Sequence, residues 1–244
     1  MRILFRAALA ITAALLSAAP ASAQNRIQVP YEQFTLPNGL TVILHRDATT
    51  PTIATNVWYH VGSAHERPGR TGFAHLFEHI MFEGSQNVPE GRIDEWFEEV
   101  GGSPNGSTSR DRTNYMQSFS SNALDLALFI ESDRMGHLLP AMSPASVDGQ
   151  RDVVKNERRQ RYDNVPYGRA YETLAAALYP AGHPYHWPTI GSMADLSAAS
   201  LEDVTSFFRT YYAPNNATLS IAGDFRPGSV RAWVERYFRG IPRG

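Results

Sequence analysis

Apolar residues in this chain fall into short alternating runs and longer stripes, and these two periods predict its elements. Phe34 to Leu44 holds two brief alternations around Asn38-Gly39, the pattern of a β-hairpin closed by a type I′ turn. Thr52–His60, Thr113–Ser120 and Ala217–Ala222 alternate as further strands. Elsewhere the period lengthens to that of a helix. Arg92–Val100 places Ile93, Trp96, Phe97 and Val100 on one side and stops at Gly101-Gly102. Ala123–Leu139, Ser146–Tyr162, Arg169–Leu178 and Ser229–Phe238 read as helices, and Ser200-Leu201-Glu202-Asp203 is a capping box opening another, to about Tyr212. Ser103–Ser109 is extended, small and polar. Val61–Arg70 is a polar loop, and His183–Ser197 a loop rich in Gly and Pro. Strands and helices mix without regular βαβ alternation, repeats or low-complexity linkers. The expected fold class is α+β, a mostly antiparallel sheet with helices packed on one face.

One stretch carries chemistry. Thr71-Gly72-Phe73-Ala74-His75-Leu76-Phe77-Glu78-His79-Ile80-Met81-Phe82-Glu83-Gly84 reads as about three turns of helix, with Thr71 as N-cap and Gly84 as stop. It is apolar nearly all round, which predicts burial. One face carries His75, Glu78 and His79. Two buried imidazoles flanking a buried carboxylate are costly unless all three are satisfied, and a divalent cation satisfies them. His75 and His79 are four apart, so both rings reach the same ion. Glu78 lies beside them, within reach of a water there. This H-x-x-E-H order is the inverzincin signature.

Composition narrows the setting. Met1 to Arg6 is basic, Ala7 to Leu16 apolar, and Ala21-Ser22-Ala23 a small-residue cleavage site. Residues 1–23 therefore read as a signal peptide cut after Ala23, leaving 24–244 as one domain in the periplasm or secreted. The formal charge of −2 becomes more negative once Arg2 and Arg6 are removed, which gives no reason to expect a nucleic acid or an anionic membrane as partner. No membrane span is expected. The chain has no cysteine, so any metal must be held by His, Asp and Glu. His183 and His186 flank Pro184 and read as polar surface. His45, His60, His65 and His137 read as single structural residues, and Tyr211 and Tyr212 as packing at a helix end.

With these residues in view, the chain resembles the pitrilysin or insulinase family of zinc peptidases, which includes the mitochondrial processing peptidases. The resemblance rests on Thr35-Leu36-Pro37-Asn38-Gly39-Leu40, on Gly62-Ser63 followed by the 72–84 block, on Gly101-Gly102 with Asn105, Thr108 and Thr113-Asn114-Tyr115, and on Ala222-Gly223-Asp224-Phe225. It implies a zinc-dependent endopeptidase that cleaves oligopeptides or unfolded segments through a metal-activated water. Glu78 would be the catalytic base, and one Zn²⁺ per chain would sit on His75, His79 and a downstream Glu. That Glu maps to Glu157, although on residues alone Glu131 and Glu172 compete and Glu157–Arg161 reads as a solvated helix face. Where the family usually carries a further Glu, this chain has Gln150. The family adds its peptide substrate to a sheet edge, which implicates Ser103, Asn105, Gly106, Ser107 and Thr108. It also works as a two-half clamshell, so this chain would be the N-terminal catalytic half and would need a second half, a partner subunit or a homodimer. The alternative is a non-catalytic or weakly active partner subunit of a peptidase complex.

Overall fold

The computed structural model describes residues 28–244, so the signal-peptide expectation lies outside the described residues. Strands β1 (Glu32–Thr35), β2 (Thr41–Arg46), β3 (Thr52–Tyr59), β4 (Ser103–Thr108), β5 (Thr113–Ser120) and β6 (Ala217–Gly223) form one six-stranded sheet in the order β1-β2-β6-β3-β5-β4. Only β2 and β6 run parallel; the other neighbours are antiparallel. Alternation sets which face is covered. Val42, Leu44, Ile53, Val57, Tyr59, Tyr115, Phe119, Leu219 and Ile221 are buried, whereas Ala54, Trp58 and Ser118, on the opposite pleat, are exposed. Helices thus cover a single face, as expected for this α+β class.

That layer contains α1 (Phe73–Glu83), α2 (Arg92–Glu99), α3 (Leu124–His137), α4 (Pro144–Arg158), α5 (Ala170–Leu178), α6 (Met193–Ala198), α7 (Leu201–Tyr211) and α8 (Pro227–Phe238). Helix α1 is central. Its Phe77 ring packs against Phe208 at 5.3 Å and Tyr212 at 4.6 Å between centroids. Tyr212 is buried, as the packing reading required. Glu131 and Arg134 are a buried ion pair on α3, with Gln117 donating to the same carboxylate.

Three local expectations are corrected. The β1–β2 turn is not type I′, which needs positive φ at both central residues. Gly39 has φ 92°, and Asn38 is not in that region. The Gly39 N–H bonds the Leu36 carbonyl at 2.8 Å around Pro37, whose ring holds φ negative. Asn38 instead donates to the carbonyls of Phe238 (2.7 Å) and Ile241 (3.0 Å). Within the 183–197 loop, Ser192 caps the short helix α6 through the Asp195 N–H. Helix α4 begins at Pro144, capped by Ser143, and passes at Arg159–Asp163 into a π-helical turn rather than running on to Tyr162 as an α-helix.

Candidate metal centre

Helix α1 starts at Phe73, and its N-cap is Gly72, with φ 89° and no side chain to cap with. Thr71 is not the cap, because its hydroxyl and N–H both bond Asp195 Oδ2, at 2.6 and 3.0 Å. The first N–H groups, which have no partner within the helix, are met from outside it. Glu66 accepts from Gly72 N–H at 2.9 Å and from Ala74 N–H at 2.8 Å, the cap role that helix starts require. Burial pushes the Glu66 carboxyl up to about 8, against the opposing pull of the backbone N–H donors of Ala74, Gly72 and Phe73. Gly84, with φ 136°, ends the helix.

Phe73, Leu76, Phe77, Ile80 and Met81 are buried, and this turns His75, Glu78 and His79 toward α4 and β4. His75 Nε2 lies 3.6 Å and His79 Nε2 3.3 Å from the same oxygen, Glu157 Oε2. Among the described residues these three form the one group of His, Cys, Asp or Glu ligand atoms lying within 4.8 Å of one another. The other Glu157 oxygen pairs with the Arg161 guanidinium, Nη1 lying 2.7 Å away.

The electrostatics suit a cation. Burial and the neighbouring His79 pull His75 down to about 4, so it is neutral, with a free lone pair, at physiological pH. A hydrogen bond from His79 holds the Glu157 carboxyl below its ordinary value, against some desolvation, so it is anionic. Two imidazole nitrogens and one carboxylate oxygen converging on a partly open spot are a donor set that zinc accepts.

Glu78 stands apart from that trio. Its carboxylate accepts from the Thr108 hydroxyl of β4. A Cβ placed on Gly106 would meet Glu78 Cγ and Oε1 at 3.0 Å. Burial raises the Glu78 pKa, with the Thr108 hydrogen bond the largest opposing effect. Strand β4 is one of the two edges of the sheet, β1 being the other. Its Ser103 and Asn105 are exposed, Ser107 bonds Asn114, and the Gly106 N–H is covered by Asn105 Oδ1 at 2.8 Å. All five residues expected there lie on β4, and of them Gly106 and Thr108 face Glu78.

The competing carboxylates lie elsewhere. Glu131 is sealed against Arg134 and Gln117, and Glu172 pairs with Arg158 and Arg169. Gln150 reaches the C-terminal turn of α1, donating to Glu83. His183 is exposed and His186 bonds the Tyr179 carbonyl. The solvated-face reading of Glu157–Arg161 is corrected at Arg158, which is 5% exposed. Two residues that support this region, Glu66 at the start of α1 and the buried Arg158, are not among the expected ones. A carboxylate six residues ahead of a glycine-capped helix was the available signal for the first, and nothing in the sequence marked the second.

The family description "Insulinase (Peptidase family M16)" matches residues 41–184, and "Peptidase M16 inactive domain" matches residues 198–244. Zinc protease PqqE of Helicobacter pylori is 34% identical over 235 residues, covering 96% of this chain and 52% of that protein. The crystal structure of a protease from Helicobacter pylori superposes with a TM-score of 0.84 at 35% identity, covering 88% of this chain and 51% of that one. The first half of the periplasmic protease PqqL from Escherichia coli shares the fold, with a TM-score of 0.77 at 24% identity, over 87% of this chain and 46% of that one. The chain spans about half the length of the curated relatives it matches.

Proposed function

The chain belongs to the insulinase family of peptidases, M16, and we propose that it is the N-terminal catalytic half of a zinc endopeptidase acting on oligopeptides or unfolded segments. One observation carries this: two imidazole Nε2 atoms and a third residue's carboxylate meet at one point, next to a carboxylate of raised pKa and a free sheet edge. His75, His79 and Glu157 would hold one Zn²⁺, which supplies Lewis acidity toward water and the peptide carbonyl. Glu78 takes a proton from the attacking water and hands it to the departing amine; its raised pKa brings it nearer the working pH. Thr108 orients that carboxylate. Substrate backbone adds to β4 at Ser103–Thr108, with Gly106 allowing close approach and Asn105 turning away from the N–H it covers.

Residues 24–244 form this half and residues 1–23 the signal peptide, with action in the periplasm or outside the cell. A periplasmic neighbour of the same fold supports that location, and no helix of the described residues is long and apolar enough to cross a membrane. A second half or partner subunit completes the clamshell. An exposed apolar stripe on α5 supports one: Tyr171 is 85% exposed, Leu174 51% and Leu178 67%, the kind of grouped apolar surface that marks interaction sites. The alternative, a non-catalytic partner, draws on the "inactive domain" description, but that match covers residues 198–244 and includes none of the four site residues.

The test pairs wild type with Glu78→Gln. Both are purified in the assembled form, analysed for zinc, and assayed on a quenched fluorescent peptide. The expected result is equal zinc and at least a hundredfold loss of turnover, as for removal of a general base worth about 10²–10⁴. Equal turnover by the two proteins refutes the peptidase reading.

A further inference from the structure

The helix carrying Glu157 and the helix carrying the two histidines are far apart in sequence, so something must set their spacing. Arg158, immediately after Glu157, is buried. Its Nη1 donates to the Gly191 carbonyl at 2.7 Å and its Nη2 to Glu172 Oε2 at 3.0 Å. Gly191 lies directly on the start of the histidine helix. A Cβ built on it would come within 2.4 Å of Gly72 Cα and 2.5 Å of the Thr71 carbonyl. The same segment holds Thr71 through Asp195 and through the Ser192 N–H, the latter at 3.1 Å. The start of α1 therefore rests on residues 191–195, and Arg158 ties the end of α4 to that rest.

We propose that Arg158 is a positioning residue for the metal centre. Its guanidinium, clamped between the Gly191 carbonyl and the Glu172 carboxylate, fixes the distance across which Glu157 meets His75 and His79. This rests on the reading that those three hold a metal. A planar fork with donors on two sides is needed to reach a carbonyl and a carboxylate together, and lysine offers only a point charge. Outer residues that orient ligands typically change metal affinity by about 10–100-fold. Glu172, a competitor for the third ligand on sequence alone, becomes the counter-ion that holds the brace.

The test measures Zn²⁺ affinity of the full chain by competition with a chromogenic chelator, and the visible spectrum of the Co²⁺ form. The variants are Arg158→Met, Arg158→Lys, Glu172→Gln, Glu157→Gln and the Arg158→Met/Glu157→Gln pair, each checked for folding by circular dichroism. Arg158→Met is expected to weaken zinc at least tenfold and alter the Co²⁺ bands, with Arg158→Lys and Glu172→Gln intermediate. With Glu157→Gln already present, Arg158→Met should change affinity less than twofold, because its effect runs through that ligand. The proposal is overturned if folded Arg158→Met binds zinc as wild type does, or loses as much affinity with Glu157 removed as with it present. Should Arg158→Met not fold, unchanged affinity and spectrum in both Arg158→Lys and Glu172→Gln overturn it equally. A wild-type chain that binds neither ion brings down the metal-site reading itself, a distinguishable outcome.

Discussion

Gly106→Ala is a one-methyl probe of how the base is held. The added Cβ would lie 3.0 Å from Glu78 Cγ, Glu78 Oε1 and Phe82 Cε2. Carbon pairs prefer about 3.5–4.0 Å, so each carbon contact is short by roughly half an ångström or more. Gly106 does not have positive φ, so the backbone itself tolerates alanine. Phe82 is ring-stiff and packed beside Tyr115, at 5.8 Å between centroids, which leaves the Glu78 side chain as the part that gives. Overpacking of this kind costs about 1–3 kcal/mol. If that cost falls on the carboxylate's working position, kcat/KM drops about 5- to 150-fold. The methyl's three nearest contacts are on Glu78 and Phe82 and none is on His75, His79 or Glu157, so zinc content should stay at the wild-type level. The assay is cleavage of the quenched peptide by the assembled protein, with zinc measured on the same sample. Undiminished kcat/KM with full zinc would refute the placement of Glu78 against β4.

Three further outcomes are expected. Zinc at about 100 times its Kd should stabilise the chain by about 2.7 kcal/mol. At about 2–4 °C per kcal/mol this raises the unfolding midpoint by roughly 5–11 °C; a chelator should reverse the shift, and His79→Ala should lose most of it. Folding raises Glu66 from 4.5 to about 8, so its contribution is full below about pH 4.5 and disappears as pH climbs through about 8. The difference in unfolding midpoint between wild type and Glu66→Gln should accordingly shift against wild type across that window, and a difference independent of pH counts against the burial of a titrating carboxyl. Leu174→Asp with Leu178→Asp should leave thermal stability within about 0.5 kcal/mol, since both residues are exposed, while weakening co-purification with the second half; unchanged association would place the partner's contact elsewhere.

Much of this was legible in one dimension because its causes are local. Period and glycine placement located the strands, the helices and the buried helix with both histidines, and side chains four apart on a helix share a face whatever surrounds them. The fold class followed from the order of elements, and the edge position of Ser103–Thr108 from small polar residues together with the family resemblance. Short-range readings failed where a distant partner outbid a near one. Asp195 claims the Thr71 hydroxyl, and two carbonyls near the C-terminus claim Asn38.

Sequence alone thus determined the chemistry on offer: two imidazoles, a neighbouring glutamate, and several further carboxylates able to join them. The family resemblance pointed to Glu157, and the tertiary structure shows which carboxylate lies beside the rings. Glu131 and Glu172 were taken by arginines, and Glu157 was brought within 3.6 Å of both rings by packing between helices more than sixty residues apart. Distances of that kind depend on how the covered face of the sheet seats each helix, and no periodicity along the chain encodes them.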